Sequence, residues 1–378
     1  MKKAKVKIVL IIFLFVIITI ISAPVKNLAI AETISSARCM VVIESNSGRI
    51  LYGKNFDEKV PMASTTKIVT ALTVLNNYQN INKEVKIDDR AVGIPGTSIY
   101  LKKGESLTVK ELLYGLMLPS GNDAATALAY VVGGDIPTFC KMMNETAELC
   151  GAKNSSFANP HGLDEEGHYT TALDLAKITA KALENEIFKE IVTAKNTRIK
   201  GSSEGTYRYL KNKNKLLNTL DGCIGVKTGY TSKAGRCLVS ATERNNFKAV
   251  CVVLNCGPMF EESAELLNQV YLDYSNVEIL PNYKIIRRVA VENGKVNNVK
   301  VFTKRGFTYP LTDEEAKLLQ FKYNIPNVLA APVNKDEVVG ELEIYLNNHL
   351  LFSEKIYTMD NIQKIGVWSS IQDIISNW

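Results

Sequence analysis

Pro61-Met62-Ala63-Ser64-Thr65-Thr66-Lys67 runs without a break into the apolar-rich residues 68–75, and no other stretch constrains the fold as tightly. A proline and an alanine before a serine, followed by apolar residues at helical spacing, predict the first turn of a helix that is then buried. Ser64 and Lys67, three residues apart, share one face of that helix. The lysine amine can therefore reach the serine hydroxyl and take its proton. It does so only as the neutral amine, a form favoured by burial or by a nearby cation. The unpaired N–H groups at the helix start favour negative charge on an attacked carbonyl. On this motif alone, Ser64 as a helix cap with Lys67 in water fits equally well.

Length and composition set the frame. A chain of 378 residues with 46% hydrophobic and 22% charged residues has room for two globular domains and is neither disordered nor collagen-like. Residues 1–31 stand apart: Lys2, Lys3, Lys5 and Lys7 precede the uncharged apolar run 8–23, and Ala29-Ile30-Ala31 offers a small-x-small cleavage site. This pattern predicts a signal peptide, with an uncleaved membrane anchor as the alternative. The segment holds five lysines and no acid, so the remainder carries 40 basic and 39 acidic residues. Such balance gives no electrostatic basis for a nucleic-acid partner. The seven cysteines include no C-x-x-C pair and no histidine at zinc-ligand spacing, so neither a metal nor another cofactor is expected. Most of them sit inside apolar patterns and read as small buried hydrophobes, although an odd count leaves a free thiol or an intermolecular bridge open.

Along the chain, residues 38–44 and 49–52 flank the turn Ser45-Asn46-Ser47-Gly48 as a hairpin. Residues 108–118 predict an amphipathic helix closed by Pro119. Ser120-Gly121-Asn122 follows at once, and a further helix spans 123–132. A three-residue junction between helices is a tight corner from which a hydroxyl and an amide can both point into a cleft, and both are also good helix caps. Residues 136–150 predict another helix, 154–169 a polar glycine-containing loop with His161 and His168, and 170–192 a helix pair. With no third group at catalytic spacing, the two histidines read as turn-stabilising. The lysine-rich segment 209–215 reads as a solvated loop.

The third motif is Lys227-Thr228-Gly229, ahead of the strand patterns 236–242 and 247–255. Lys227 is expected on a strand antiparallel to them, where an ammonium beside a hydroxyl makes a carboxylate receptor. Gly229, without a side chain, would let an extended peptide approach. As an isolated tripeptide it could also end a strand in a turn. Ser-x-x-Lys, Ser-x-Asn and Lys-Thr-Gly each occur once, in that order, and each on the element type that the chemistry requires.

With Pro61–Lys67, Pro119-Ser120-Gly121-Asn122-Asp123-Ala124, Asn159-Pro160-His161-Gly162-Leu163 and Gly225-Val226-Lys227-Thr228-Gly229-Tyr230-Thr231, the chain resembles the low-molecular-weight penicillin-binding proteins of the serine D-alanyl-D-alanine carboxypeptidase type. The resemblance is close over residues 35–275 and looser beyond. It implies Ser64 as nucleophile, Lys67 as general base and Ser120 as the relay that returns a proton to the departing D-alanine. It also implies Asn122 holding Lys67 and the substrate amide, Lys227 and Thr228 binding the terminal carboxylate, and an oxyanion hole from the N–H groups of Ser64 and Tyr230, with Gly229 and Tyr230 lining the substrate. The implied partners are peptidoglycan stem peptides ending in D-Ala-D-Ala, with β-lactam antibiotics as inhibitors.

The implied fold is α+β: a β-lactamase/transpeptidase-like antiparallel sheet flanked by helices with a helical subdomain. This reading divides the chain into a signal peptide (1–31), a catalytic domain (32–275), a small β-rich domain (276–360) and an amphipathic C-terminal helix (361–378). The helix places Ile365, Trp368, Ile371, Ile375 and Trp378 on one side, and its family counterpart sits on the membrane surface, which implies an exported enzyme at the outer face of the cytoplasmic membrane. Packing of that helix on the β-rich domain is the alternative. Two other functions fit the motifs: a serine β-lactamase using Glu165 or Glu166 to activate water, and a non-catalytic penicillin- or muropeptide-binding wall protein.

Overall fold

The strand Cys39–Glu44 is apolar on both faces and needs cover on both sides. The computed structural model, which describes residues 35–366, supplies that cover. The strand lies inside a five-stranded antiparallel sheet ordered Ile50–Lys54, Cys39–Glu44, Phe247–Leu254, Gly235–Arg244, Cys223–Thr231. Val41, Ile43, Val239 and Val250 point to one face, where the helices Lys67–Asn77 and Ala172–Ala182 pack. Met40, Val42, Leu238 and Val253 point to the other, against the helix Met259–Asp273. Each such aliphatic side chain contributes about 1.5–3 kcal/mol by leaving water. The predicted hairpin, sheet and flanking helices are all present, and the strand carrying Lys227 is one of the sheet's two edges.

The helix Val109–Met117 starts with a capping box in which Thr108 and Glu111 satisfy each other's backbone N–H groups. Five residues after its last residue, Asn122–Gly133 begins, so the corner at Ser120 is as tight as the sequence predicts. The segment 209–215 departs from expectation. Tyr207–Lys211 is a strand paired with Asn196–Lys200, not a solvated loop. Only Ile199 and Leu210 of this hairpin are buried, so it lacks the apolar alternation by which a strand is recognised. The hairpin delivers Lys213 to the catalytic cleft.

Beyond Tyr274 the chain is almost all β. The two strands Ser275–Leu280 and Phe307–Leu311 pair, and a six-stranded sheet follows around a core that includes Val289, Val301, Leu342, Ile344 and Ile356. Four of its strands fall on the short alternating runs that the sequence shows at 284–291, 298–302, 328–331 and 338–345, whereas His349–Thr358 lacks that signal because it buries Glu354, whose carboxylate accepts from Arg305 Nε at 2.7 Å. The Arg49 guanidinium of the first hairpin ties the two regions together. It donates to the Pro310 carbonyl and to Glu315, and lies 5.3 Å from the ring centroids of Tyr274 and Tyr309.

The C-terminal helix does not begin where the apolar spacing places it. Ile362 is paired with Val333 in extended conformation and Ile365 N–H donates to the Asn293 carbonyl, so backbone pairing holds residues 361–365 out of a helix. The rest of that expectation, at 367–378, and the signal peptide at 1–31 lie outside the described residues. Among the described residues no helix is long and apolar enough to cross a membrane.

Candidate active site

Ala63–Thr66 forms one tight 3-10 turn that leads directly into the helix Lys67–Asn77. Thr65 Oγ1 donates to the Met62 carbonyl at 2.6 Å and Thr66 Oγ1 to that of Ala63 at 2.8 Å, so the two threonines stiffen the turn that carries Ser64. Lys67 is wholly buried beneath it. Its Nζ lies 3.0 Å from Ser64 Oγ, 2.7 Å from Asn122 Oδ1 and 2.6 Å from the His161 carbonyl oxygen. A neutral amine has two N–H donors, and the asparagine and the carbonyl take both. Its lone pair is then left for the Ser64 hydroxyl, the arrangement a general base requires. Burial first, then the charges of Lys227 and Lys213, hold the Lys67 amine well below the ordinary lysine value.

The second wall is the corner after Pro119. Asn122 does not cap its helix, since the N-cap is Gly121 and no side chain closes that end. Its Oδ1 instead serves Lys67, while its Nδ2 donates to the Pro95 carbonyl at 2.6 Å. Ser120 sits in the left-handed region at φ 74°, and its buried Oγ meets no protein hydrogen-bond partner. A strained residue whose polar atom points into a cleft is a mark of a functional position. Asp123, a member of the second motif block with no role implied there, fixes this wall by accepting from the N–H groups of Ile99 and Leu101 and from Ser98 Oγ.

The third wall is the edge strand. Lys227 is buried with its Nζ donating to the Thr228 carbonyl at 2.9 Å, and burial followed by the charge of Lys213 pushes its amine down to about 7. Gly229 is needed for a reason other than the expected approach of a peptide. A Cβ there would lie 3.0 Å from the Ser64 backbone nitrogen and 3.1 Å from the Met62 carbonyl, so its bare α-carbon lets the strand close on the nucleophile's turn. Tyr230 stands exposed at the mouth. Ser64, Ser120, Thr228, Gly229 and Tyr230 line one cleft of about 360 Å³, so most of the residues assigned from sequence are brought together, with Lys67, Asn122 and Lys227 just behind its surface.

The sequence left three cleft components unassigned. Lys213 lies 3.4 Å from Thr97 Oγ1 with its amine lowered by burial, and Met259 and Phe260 close the far end. The His161 carbonyl is the third, and a backbone group leaves no signature in a sequence. Its loop is locked in place: Gly162, at φ 90°, passes so near the nucleophile's turn that a Cβ would fall 2.0 Å from the Ala63 carbonyl oxygen. Asn159 Oδ1 accepts from Gly162 N–H at 2.7 Å, and Asn159 Nδ2 donates to Glu165 at 2.8 Å. Glu165 is thereby engaged in the loop, and among the described residues no carboxylate lines the cleft.

The two histidines act as expected, in the scaffold. The His168 ring accepts the Ala158 N–H at Nδ1, so Nε2 carries the proton and donates to Thr66 Oγ1 at 2.8 Å. Burial pushes His161 down to about 3 and His168 to about 4, so both are neutral in the folded protein. Free histidine titrates near 6.5, so the unfolded chain binds protons that the folded chain refuses. Stability is full above about pH 6.5 and falls as pH drops toward 4, by up to about 1.4 kcal/mol per pH unit for each ring. Chemical denaturation at pH 7 and pH 5 is expected to show this loss, and His168→Gln to flatten it. An unchanged slope in that variant would remove His168 from the account.

All seven cysteines are free thiols, most of them buried, and among the described residues no cluster of His, Cys, Asp and Glu can hold a metal.

Comparison with known proteins places these features. Residues 26–257 match the peptidase S11 family, described as D-alanyl-D-alanine carboxypeptidase, and residues 274–364 match the penicillin-binding protein 5 C-terminal domain. The chain is 30% identical to the D-alanyl-D-alanine carboxypeptidase DacF of Bacillus subtilis over 357 residues, which covers 92% of this chain and 91% of that one. Penicillin-binding protein 5 of Haemophilus influenzae superposes with a TM-score of 0.73 at 27% identity, covering 89% of this chain and all of the other. The Streptomyces K15 DD-transpeptidase matches 64% of this chain and 98% of its own at a TM-score of 0.59 and 33% identity.

Proposed function

Since the chain belongs to the S11 family of D-alanyl-D-alanine carboxypeptidases, we propose that it removes the terminal D-alanine of peptidoglycan stem pentapeptides through an acyl-enzyme on Ser64. The observation that carries this assignment of roles is the Lys67 amine at 3.0 Å from Ser64 Oγ with both its hydrogens committed elsewhere.

In this mechanism the terminal carboxylate is held by protonated Lys227 and the Thr228 hydroxyl. Ser64 Oγ attacks the carbonyl carbon of the penultimate D-alanine and passes its proton to Lys67 Nζ. The backbone N–H groups of Ser64 and Tyr230 stabilise the oxyanion. The C–N bond then breaks, and Ser120 hands a proton from Lys67 to the departing D-alanine amine. Water, deprotonated by Lys67, hydrolyses the ester and restores Ser64. A penicillin is attacked in the same way, but its opened ring keeps the leaving nitrogen tethered. Glu165, held by Asn159 in its loop and outside the cleft lining, is not placed to activate water, which favours a lasting adduct over the fast deacylation of a β-lactamase.

We also place the enzyme outside the cytoplasmic membrane, with residues 1–31 as its export signal and the C-terminal segment as a peripheral membrane contact. Support comes from the lysines ahead of the apolar run 8–23, from the Ala29-Ile30-Ala31 site and from the apolar spacing of Trp368, Ile371, Ile375 and Trp378. The test is direct: brief exposure to benzylpenicillin is expected to add one penicilloyl mass on the peptide containing Ser64, and the untreated enzyme to release D-alanine from a pentapeptide. An adduct on another residue overturns the assignment.

A further inference from the structure

A groove of about 660 Å³ lies in the C-terminal β region, between Pro281 and the start of the strand Ile285–Glu292 on one side and the strand Leu319–Asn324 on the other. We infer that this groove binds the glycan strand of peptidoglycan, a chain of N-acetylated hexose rings bearing acidic peptides. The inference rests on the reading above only for the identity of the polymer.

Three observations support that occupant. Phe321 and Tyr323 are both exposed to more than 40% and project from the same face of one strand. Their ring planes lie within 12° of parallel with centroids 6.5 Å apart, so the two rings stand together as one exposed aromatic stack along the groove wall. The C–H faces of hexose rings stack on such surfaces, and aromatic side chains with few polar groups are the usual lining of a small-molecule subsite. Second, the charged residues of the groove, Lys284 and Arg287, are both cationic, and Asn327 adds an amide that can donate and accept. The carboxylates of stem peptides complement that charge. Third, one of the cations is held in place: Arg287 donates to the Ile325 and Pro326 carbonyls at 3.0 and 3.2 Å, fixing its guanidinium between the two walls. A concave channel of this kind suits a linear polymer, whereas a bilayer surface calls for a convex apolar patch with a basic rim. A second grip on the polymer would keep the enzyme on the wall between cleavages and raise the effective concentration of stem termini at Ser64.

The experiment uses the full-length protein acylated with benzylpenicillin, so that the catalytic cleft is blocked. Its sedimentation with purified insoluble peptidoglycan is measured beside that with phosphatidylglycerol vesicles. The unaltered protein is expected to sediment with the wall polymer, and Phe321→Ala/Tyr323→Ala to bind it at least about tenfold more weakly, as loss of both stacking contacts implies. D-alanine release from a soluble pentapeptide, and penicillin acylation, remain unchanged in that variant because both rings lie outside the cleft and are exposed. Equal binding by the variant overturns the inference, and so does an effect seen only with vesicles, which assigns the groove to the membrane. Failure of the catalytic reading shows separately, as absence of the Ser64 adduct.

Discussion

Ser64→Ala is expected to carry no penicilloyl adduct and to release D-alanine at least about 10⁶-fold more slowly than the unaltered enzyme, the scale reported when a serine nucleophile is deleted. The size follows from the mechanism, because every later step proceeds on the ester formed at Oγ. The fold is not at risk. Ser64 Oγ contacts the Lys67 amine at 3.0 Å and the His161 carbonyl at 3.5 Å, and the side chain is only part-buried. Its loss should move the melting midpoint little, within the ±0.5 kcal/mol usual for surface changes. Lys227 and Thr228 are untouched, so the variant should still bind a pentapeptide. Retained binding with abolished turnover separates a missing nucleophile from a collapsed cleft. Residual labelling by penicillin at another residue would mean that a different side chain forms the acyl bond.

The parts of this site that a sequence can show are those with side-chain chemistry at fixed spacing. Ser64 and Lys67 sit one helical turn apart on a helix that the apolar pattern predicts to be buried, so their meeting was legible from the spacing and the pattern together. Lys227 on a strand antiparallel to its successors was equally legible, because two strongly apolar strands follow it; its place at the sheet edge required coordinates. Lys213 was hidden because it follows a hairpin with two buried side chains, which no alternation betrays. The His161 carbonyl was hidden because backbone atoms carry no residue code. Gly162 and Gly229 could be named as members of their motifs, but their function required coordinates: each is glycine because another piece of backbone occupies the place of its Cβ. In the C-terminal β region, apolar periodicity found the strands with clean alternation and missed those that bury a paired acid or expose their aromatics, as Glu354 and Phe321 do. At the C-terminus the spacing of Ile362 and Ile365 suited a helix, yet pairing with Val333 and Asn293 offered backbone hydrogen bonds that periodicity does not weigh.

Lys67→Arg should slow acylation by benzylpenicillin by about 10²–10⁴-fold, the usual contribution of a general base. Arginine keeps the reach but stays charged and offers no lone pair, so it can hold Asn122 and the His161 carbonyl without serving Ser64. The pH dependence identifies the same proton from the other direction. Catalysis needs Lys67 neutral and Lys227 charged, and the environments favour that distribution. Both amines are buried, but Lys67 feels the charges of Lys227 and Lys213 together, whereas Lys227 feels that of Lys213. Acidification protonates Lys67 and the rate falls; raising the pH through about 7 neutralises Lys227 and carboxylate binding weakens. The acylation rate constant should therefore be bell-shaped in pH, with limbs that belong to the coupled pair. Lys227→Gln removes one of the two cations that add to burial in depressing Lys67, so its acid limb should move to higher pH while the alkaline limb vanishes. A base other than Lys67 would leave that limb in place and would spare Lys67→Arg, and either result would move the proton transfer to another group.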